Sequence, residues 1–173
     1  MVASLRHARR VVCALFLLST PAMAQPVPPP LSPPVDLSGP RVGMTVLSPG
    51  VVNALAADGL DVRPVVSQFG WQVEKRFYGG GHGLTAVTEW VGLLGGLEQG
   101  MVIPSLSWLT GLRTNNGFEF GAGPNVTPVG VALVLAAGTT FRSGALNFPV
   151  NVAVTPTRAG VRVSVLTGFN ARR

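Results

Sequence analysis

Apolar and polar side chains alternate with a period of two along residues 145–170, in two segments separated by a turn at 156–160. This is the period of a β-strand, so the pattern predicts a hairpin with one apolar and one polar face, although Leu166 interrupts the polar row. Two such strands at the C-terminus of an exported chain are typical of a β-barrel in a bacterial outer membrane. The apolar row consists of Leu146, Phe148, Val150, Val152, Val154, Val161, Val163, Val165 and Phe169.

Residues 1–24 have the organisation of a secretory signal peptide. Three arginines precede the short apolar run 11–18, and a small-residue cleavage motif ends at Ala24. The apolar run is shorter than the roughly 20 residues that a membrane-spanning helix needs. Cleavage would lower the formal charge from +6 to about +3, so the basic balance does not indicate nucleic-acid binding. We therefore expect an exported protein with no nucleic-acid partner.

The remainder of the chain divides into a linker and one domain. Residues 25–40 contain seven prolines, which is typical of an extended linker. Tight turn signals then separate eight strand-like stretches of even spacing, which predict an up-and-down meander. Eight strands form the smallest barrel that fills its interior with side chains. We therefore predict an all-β antiparallel barrel over 41–173, with strands at 41–48, 68–78, 84–95, 101–113, 117–124, 129–142, 145–155 and 161–170.

The interval between the first two strands carries the signals of a short helix. Ser48 is a suitable N-cap residue, Pro49 fits the first helical turn, and Gly59 can end the helix. The apolar face of this helix would consist of Val51, Val52, Leu55 and Ala56.

Polar side chains occupy the strand faces opposite the apolar rows. Three acids and three arginines among them nearly balance, and an isolated buried charge is costly. We therefore predict ion pairs between these acids and arginines inside a closed barrel with no open channel. The predicted polar network of the lumen consists of Glu74, Arg76, Glu89, Arg113, Glu119, Asn147, Asn151 and Arg162.

Alternation alone is also compatible with a secreted or periplasmic barrel of the lipocalin type. There the apolar rows, including Phe148, Val150, Val163 and Val165, would point inward around an apolar ligand. Composition favours the membrane barrel, because only 12% of the residues are charged, whereas a soluble surface usually carries about 25–35%.

Several segments of the chain resemble a set of uncharacterised bacterial proteins with a predicted small outer-membrane β-barrel. The resemblance covers most of the chain beyond residue 68 and implies the fold and the location, with no assigned activity. The segments are FGWQVEKRF (69–77), PSLSWLTGLR (104–113), GFEFGAGPN (117–125), AAGTTFRSGALNFPVNVAV (136–154) and GVRVSVLTGFN (160–170).

The chemistry that the sequence offers is sparse. We expect a structural or binding role in the cell outer membrane, with lipid as the partner and without catalytic residues, metal or cofactor. A lipid-modifying enzyme is the remaining alternative, and His82 is its one candidate base beyond the signal peptide. Its other candidates, chosen by strand face alone, are Ser105, Ser107, Glu89 and Glu119. The glycines around His82 favour a flexible hairpin loop over a phosphate site, because the segment joins two predicted strands.

Overall fold

The computed structural model describes residues 37–79 and 83–171, which all belong to one unit, Pro34–Arg173. The predicted signal peptide lies outside the described residues, and so do most of the Pro-rich linker and His82. The first strand begins at Gly39, slightly before the predicted domain boundary.

Eight antiparallel strands form a closed up-and-down barrel, which confirms the predicted fold. They are β1 (Gly39–Leu47), β2 (Val65–Gly79), β3 (Leu84–Gly95), β4 (Ile103–Thr114), β5 (Phe118–Thr127), β6 (Gly130–Ser143), β7 (Leu146–Thr157) and β8 (Gly160–Gly168). Each strand pairs with the next along the chain, and β8 pairs with β1 to close the sheet. A two-residue strand, β9 (Asn170–Ala171), also pairs with the start of β7.

The strand registers determine the tilt of the barrel. A path perpendicular to the strands, followed once around the barrel, returns to β1 about ten residues further along. With a rise of about 3.3 Å per residue and a strand spacing of about 4.8 Å, this stagger corresponds to a tilt of about 40°. The interior of such a barrel is narrow enough for side chains to fill it.

The apolar rows of the strands lie on the outside of the barrel. Val163 and Val165 of β8 and Phe148 of β7 are exposed, as are Trp71 of β2 and Leu133 of β6. The lipocalin-like alternative required the rows of β7 and β8 to point inward, and the structure has the opposite arrangement. The outer surface is therefore mainly hydrophobic, whereas most of the charged side chains on the strands point into the lumen.

The middle of the lumen contains an apolar cluster. Its buried members are Val91 and Leu93 of β3, Leu109 of β4 and Val134 of β6, and Leu166 packs against them. Leu166 thus interrupts the polar row of β8 because it contributes to this core. Because side chains fill the interior of such a narrow barrel and leave little room for water, apolar residues can pack against one another there.

A helix, α1 (Pro49–Ala57), covers part of one end of the barrel. Val51 and Leu55 are buried and pack with Leu47, Val62 and Val66. The helix was predicted correctly between the first two strands. Among the described residues, no helix is long and apolar enough to cross a membrane.

The start of α1 differs from the prediction. Ser48 occupies the N-cap position, but its side chain makes no hydrogen bond to the helix. Instead, its Oγ accepts a hydrogen bond from the backbone N–H of Val161, at 3.0 Å. Pairing of β8 with β1 brings this N–H close, so the serine links α1 to the rim of the barrel.

Candidate functional site

One arginine organises the charged cluster of the lumen. Arg113 of β4 donates two hydrogen bonds to Glu74 of β2, with Nη1–Oε1 and Nη2–Oε2 distances of 2.6 and 2.5 Å. Its Nε and Nη2 also donate to Oε2 of Glu119 on β5, at 2.8 and 2.6 Å. Glu89 of β3 lies 3.6 Å from Nη2. Four consecutive strands therefore place three carboxylates around one guanidinium, and all four side chains are buried.

The strand registers explain why these residues meet. Arg113 is paired directly with Glu119 across β4 and β5, and Glu74 is paired directly with Glu89 across β2 and β3. Residues opposite each other on neighbouring strands point to the same face. Gly138 of β6 is paired directly with Glu119, and it leaves room beside the cluster for the side chain of Asn151. A Cβ atom at Gly138 would approach Asn151 Oδ1 to 2.1 Å.

The predicted polar network omitted a second cation that lies near this cluster. Arg41 of β1 is 2% exposed, and its Nε donates to Oε1 of Gln72 at 3.0 Å. Its Nη2 donates to the carbonyl oxygen of Leu37, at 2.5 Å. The alternation of Val42, Met44 and Val46 on the outer face would have assigned Arg41 to the lumen. Leu37 itself is fully buried, just before β1.

Arg76 does not belong to the cluster. A register irregularity between Arg76 and Tyr78 interrupts the pairing of β2 with β3 close to the strand end. The Arg76 side chain is exposed there.

The two predicted asparagines both lie in the lumen. Asn147 is buried, and Asn151 borders a small cavity together with Glu89 and Glu119.

Arg162 faces the lumen, but it lies near the opposite end from the acids. It is paired with Leu47, the last residue of β1, and its Nη2 donates to Oδ1 of Asn125 at 2.9 Å. The Asn125 Nδ2 donates in turn to the hydroxyl oxygens of Ser105 and Ser107, at 2.7 and 3.0 Å. The apolar cluster therefore separates two polar layers of the lumen.

A cavity of about 740 Å³ lies between this second polar layer and α1. Its polar lining includes Thr45, Gln68, Ser105 and Arg162 on the side of the lumen, and further polar residues at the rim. The apolar part includes Leu47, Val51, Leu55, Val66 and Ile103. We call this space, with those nine residues as its main lining, the mouth cavity.

The connection between β3 and β4 is anchored beside the mouth cavity. Its single turn of 3-10 helix, Leu97–Gln99, places the exposed carboxylate of Glu98 against Ser67. The Ser67 hydroxyl and backbone N–H both donate to this carboxylate. These hydrogen bonds lower the pKa of Glu98 to about 2, because they stabilise its charged form. Hydrogen bonds to a charged carboxylate thereby hold the loop to β2 over most of the pH range.

The candidate groups of a lipid-modifying enzyme lie apart from one another. Ser105 and Ser107 contact Asn125 on one side of the apolar cluster, whereas Glu89 and Glu119 belong to the Arg113 cluster on the other side. His82 lies outside the described residues. The described part of the chain therefore contains no serine and acid arranged around a common base, and the absence of an enzyme activity stays a prediction.

The chemistry available in the described lumen is ionic pairing and ligand binding. Three carboxylates meet there, but their oxygens are directed at the Arg113 guanidinium, and the described residues contain no group suited to hold a metal ion. The layer around Arg162 has donors that face an accessible cavity.

Comparisons of this chain with protein-family models, curated proteins and solved structures found no match.

Proposed function

We propose that the protein is a small outer-membrane β-barrel with a structural or binding role and without an open pore. The observation that carries this proposal is the orientation of the strand faces. Apolar side chains cover the outside of the barrel, and the buried charges pair inside it. This is the reverse of a water-soluble barrel and the arrangement that a lipid environment requires. It also agrees with the resemblance of the sequence to predicted outer-membrane barrels.

The height of the barrel supports the same placement. The strands β3, β4 and β7 each contain 12 residues. At a tilt of about 40°, 12 residues rise about 30 Å, which is the thickness of the hydrocarbon core of a typical bilayer. The strands are long enough to cross that core.

The indole N–H of Trp108, on the outer face, is satisfied within the protein. Trp90 and Trp108 stack across β3 and β4, with their ring centroids 5.3 Å apart. The Trp108 Nε1 donates to Oγ1 of Thr88 at 2.7 Å, and that hydroxyl donates to the carbonyl oxygen of Leu109. An indole N–H exposed to hydrocarbon needs such a partner, because the bilayer core contains no water to accept its hydrogen bond.

Aromatic side chains support one orientation of the barrel. Several are exposed at the end that contains the start of β1 and the end of β8; they are Phe77, Tyr78, Phe118, Phe141, Phe148 and Phe169. Aromatic residues are enriched at membrane–water interfaces. Tight turns join the described strands at that end, apart from the connection 80–82, as is typical of periplasmic turns. We assign it to the periplasmic side and the α1 end to the outer side.

Fractionation and gel migration test this placement. We expect the protein to fractionate with outer membranes and to resist extraction by carbonate. In a detergent gel, unheated samples should migrate differently from boiled samples, because a closed barrel stays folded in detergent until it is heated. Recovery of the folded protein from the soluble periplasm without detergent would contradict the proposal.

We also expect the purified barrel to show no stable channel in a planar bilayer. The apolar cluster and the Arg113 cluster occupy successive levels of the lumen, and an eight-stranded interior is filled by side chains, whereas water-filled pores need about 16 strands. Steady conductance steps on the nanosiemens scale, obtained repeatedly with protein whose folding is verified by gel migration, would contradict the absence of a pore.

A further inference from the structure

We propose that the mouth cavity binds a single-chain amphiphile with an anionic head group, which Arg162 receives. The inference goes beyond the membrane placement, because it depends on the interior of the barrel mouth and not on the surroundings of the barrel.

Arg162 carries a charge that no described carboxylate balances. Its guanidinium has five N–H donors, and the one hydrogen bond found for it among the described residues goes to Asn125. Its Nε is buried and has no partner there. No described carboxylate lies within 4.0 Å of it, since the ion pairs of the described chain all involve Arg113. Arg162 is therefore a part-buried cation without an anion.

An anion that binds beside Arg162 would gain a charge-assisted contact. A part-buried charge is unfavourable unless it is paired, and hydrogen bonds between a guanidinium and a carboxylate or phosphate are strong and often bidentate. An anionic head group beside Arg162 would supply the missing counter-charge. Thr45, Gln68 and Ser105 lie around the same floor of the cavity and can orient the head group.

The apolar walls of the mouth cavity indicate the remainder of the ligand. A small inorganic anion would leave the apolar walls of the cavity in contact with water. These walls come from α1 through Val51 and Leu55, and from the strand ends through Leu47, Val66 and Ile103. The volume of about 740 Å³ lies within the range of about 300–1,000 Å³ that is common for small-molecule sites. An aliphatic chain fits these walls.

Two charged residues lie at the rim of the mouth cavity. Asp58 and Arg158 also border the cavity, and both side chains are exposed. Their opposite charges nearly cancel and are screened by water, so Arg162 dominates the deeper part of the site. A cationic amphiphile would place its charge beside Arg162 and should be rejected.

The test uses the full chain beyond the predicted cleavage site, folded in lipid nanodiscs, and [1-13C]octanoate as the probe. Binding of octanoate is measured from its carboxylate carbon resonance, with empty nanodiscs subtracted, and binding of the other compounds is measured from their displacement of octanoate. We expect octanoate or octyl phosphate to bind about tenfold or more tightly than 1-octanol, octyltrimethylammonium or inorganic phosphate. Whichever anion binds more tightly identifies the head group as carboxylate or phosphate.

Substitutions locate the site. Arg162→Gln should weaken binding of the preferred anion about tenfold or more, whereas Arg162→Lys should restore most of it. Ala132→Phe should abolish binding, because Ala132 lines the cavity and the ring would fill it. Arg142→Gln is the matched control, since it removes an exposed arginine near the opposite end of the barrel. Gel migration verifies that each variant is folded.

Three outcomes would overturn the inference. Equal affinities for octanol and octanoate would show an apolar site without a head-group contact. Equal affinities for inorganic phosphate and octyl phosphate would show an anion site without a chain site. Unchanged binding in folded Arg162→Gln would place the ligand elsewhere. These results are independent of fractionation, so a failed membrane placement and a failed ligand site can be distinguished.

Discussion

Replacing Arg113 with Met should lower the free energy of unfolding by about 3–5 kcal/mol. The substitution leaves Glu74, Glu89 and Glu119 buried close together without the guanidinium that neutralises them. Removing one partner of a buried ion pair is costly, because the remaining charge keeps its desolvation penalty. Here three carboxylates would lose the same partner, which makes this the most damaging single change that we expect in the lumen.

Urea titration of the barrel in phospholipid vesicles measures this effect. Trp71, Trp90 and Trp108 lie on the outer face, so their fluorescence reports transfer between lipid and water. Arg142→Met serves as the control for loss of an exposed arginine and should change stability by less than about 0.5 kcal/mol. Combining Arg113→Met with Glu74→Gln and Glu119→Gln should recover much of the loss. If folded Arg113→Met unfolds within about 1 kcal/mol of the parent, the cluster is not the ionic core of the lumen.

A substitution to arginine on the outer face should destabilise the barrel more strongly the deeper its position lies in the bilayer. Val152 lies in the middle of β7 with its side chain outward, and Val131 lies at the start of β6, where it is 71% exposed. In vesicles, Val152→Arg should cost about 2–4 kcal/mol, whereas Val131→Arg should cost about 0–1 kcal/mol. The difference arises because the middle of a bilayer lacks water and the interface does not.

The same pair of variants distinguishes a lipid-facing surface from a water-facing one. On a surface in contact with water, both arginines would be solvated and both costs would be small. Val152→Leu and Val131→Leu control for changes of side-chain size. Equal costs for the two arginine variants in vesicles would contradict the proposed bilayer position, even if the protein fractionated with membranes.

The sequence predicted all four members of the Arg113 cluster, together with Arg76, which is exposed, but it did not predict their geometry. A period of two assigned Glu74, Glu89, Arg113 and Glu119 to one face of their strands, and all four are buried in the lumen. Alternation gives the face of a residue but not its height, which depends on the register of every strand around the barrel. Only the closed sheet decided that Arg113 would form ion pairs with all three acids, while Arg162 would lie on the far side of the apolar cluster.

The pattern of residues in the sequence alone determined that this protein forms eight antiparallel strands with a short helix after the first, because strand periodicity and turn residues are local properties. It could not decide whether the apolar rows face inward or outward, since alternation is the same in both barrels. The tertiary structure placed Val163 and Val165 outside and assembled the mouth cavity from α1 and several strand ends. These features depend on the closure of the sheet and on the stagger of its strands. Both are properties of the whole sheet, and both bring together residues that are distant in sequence.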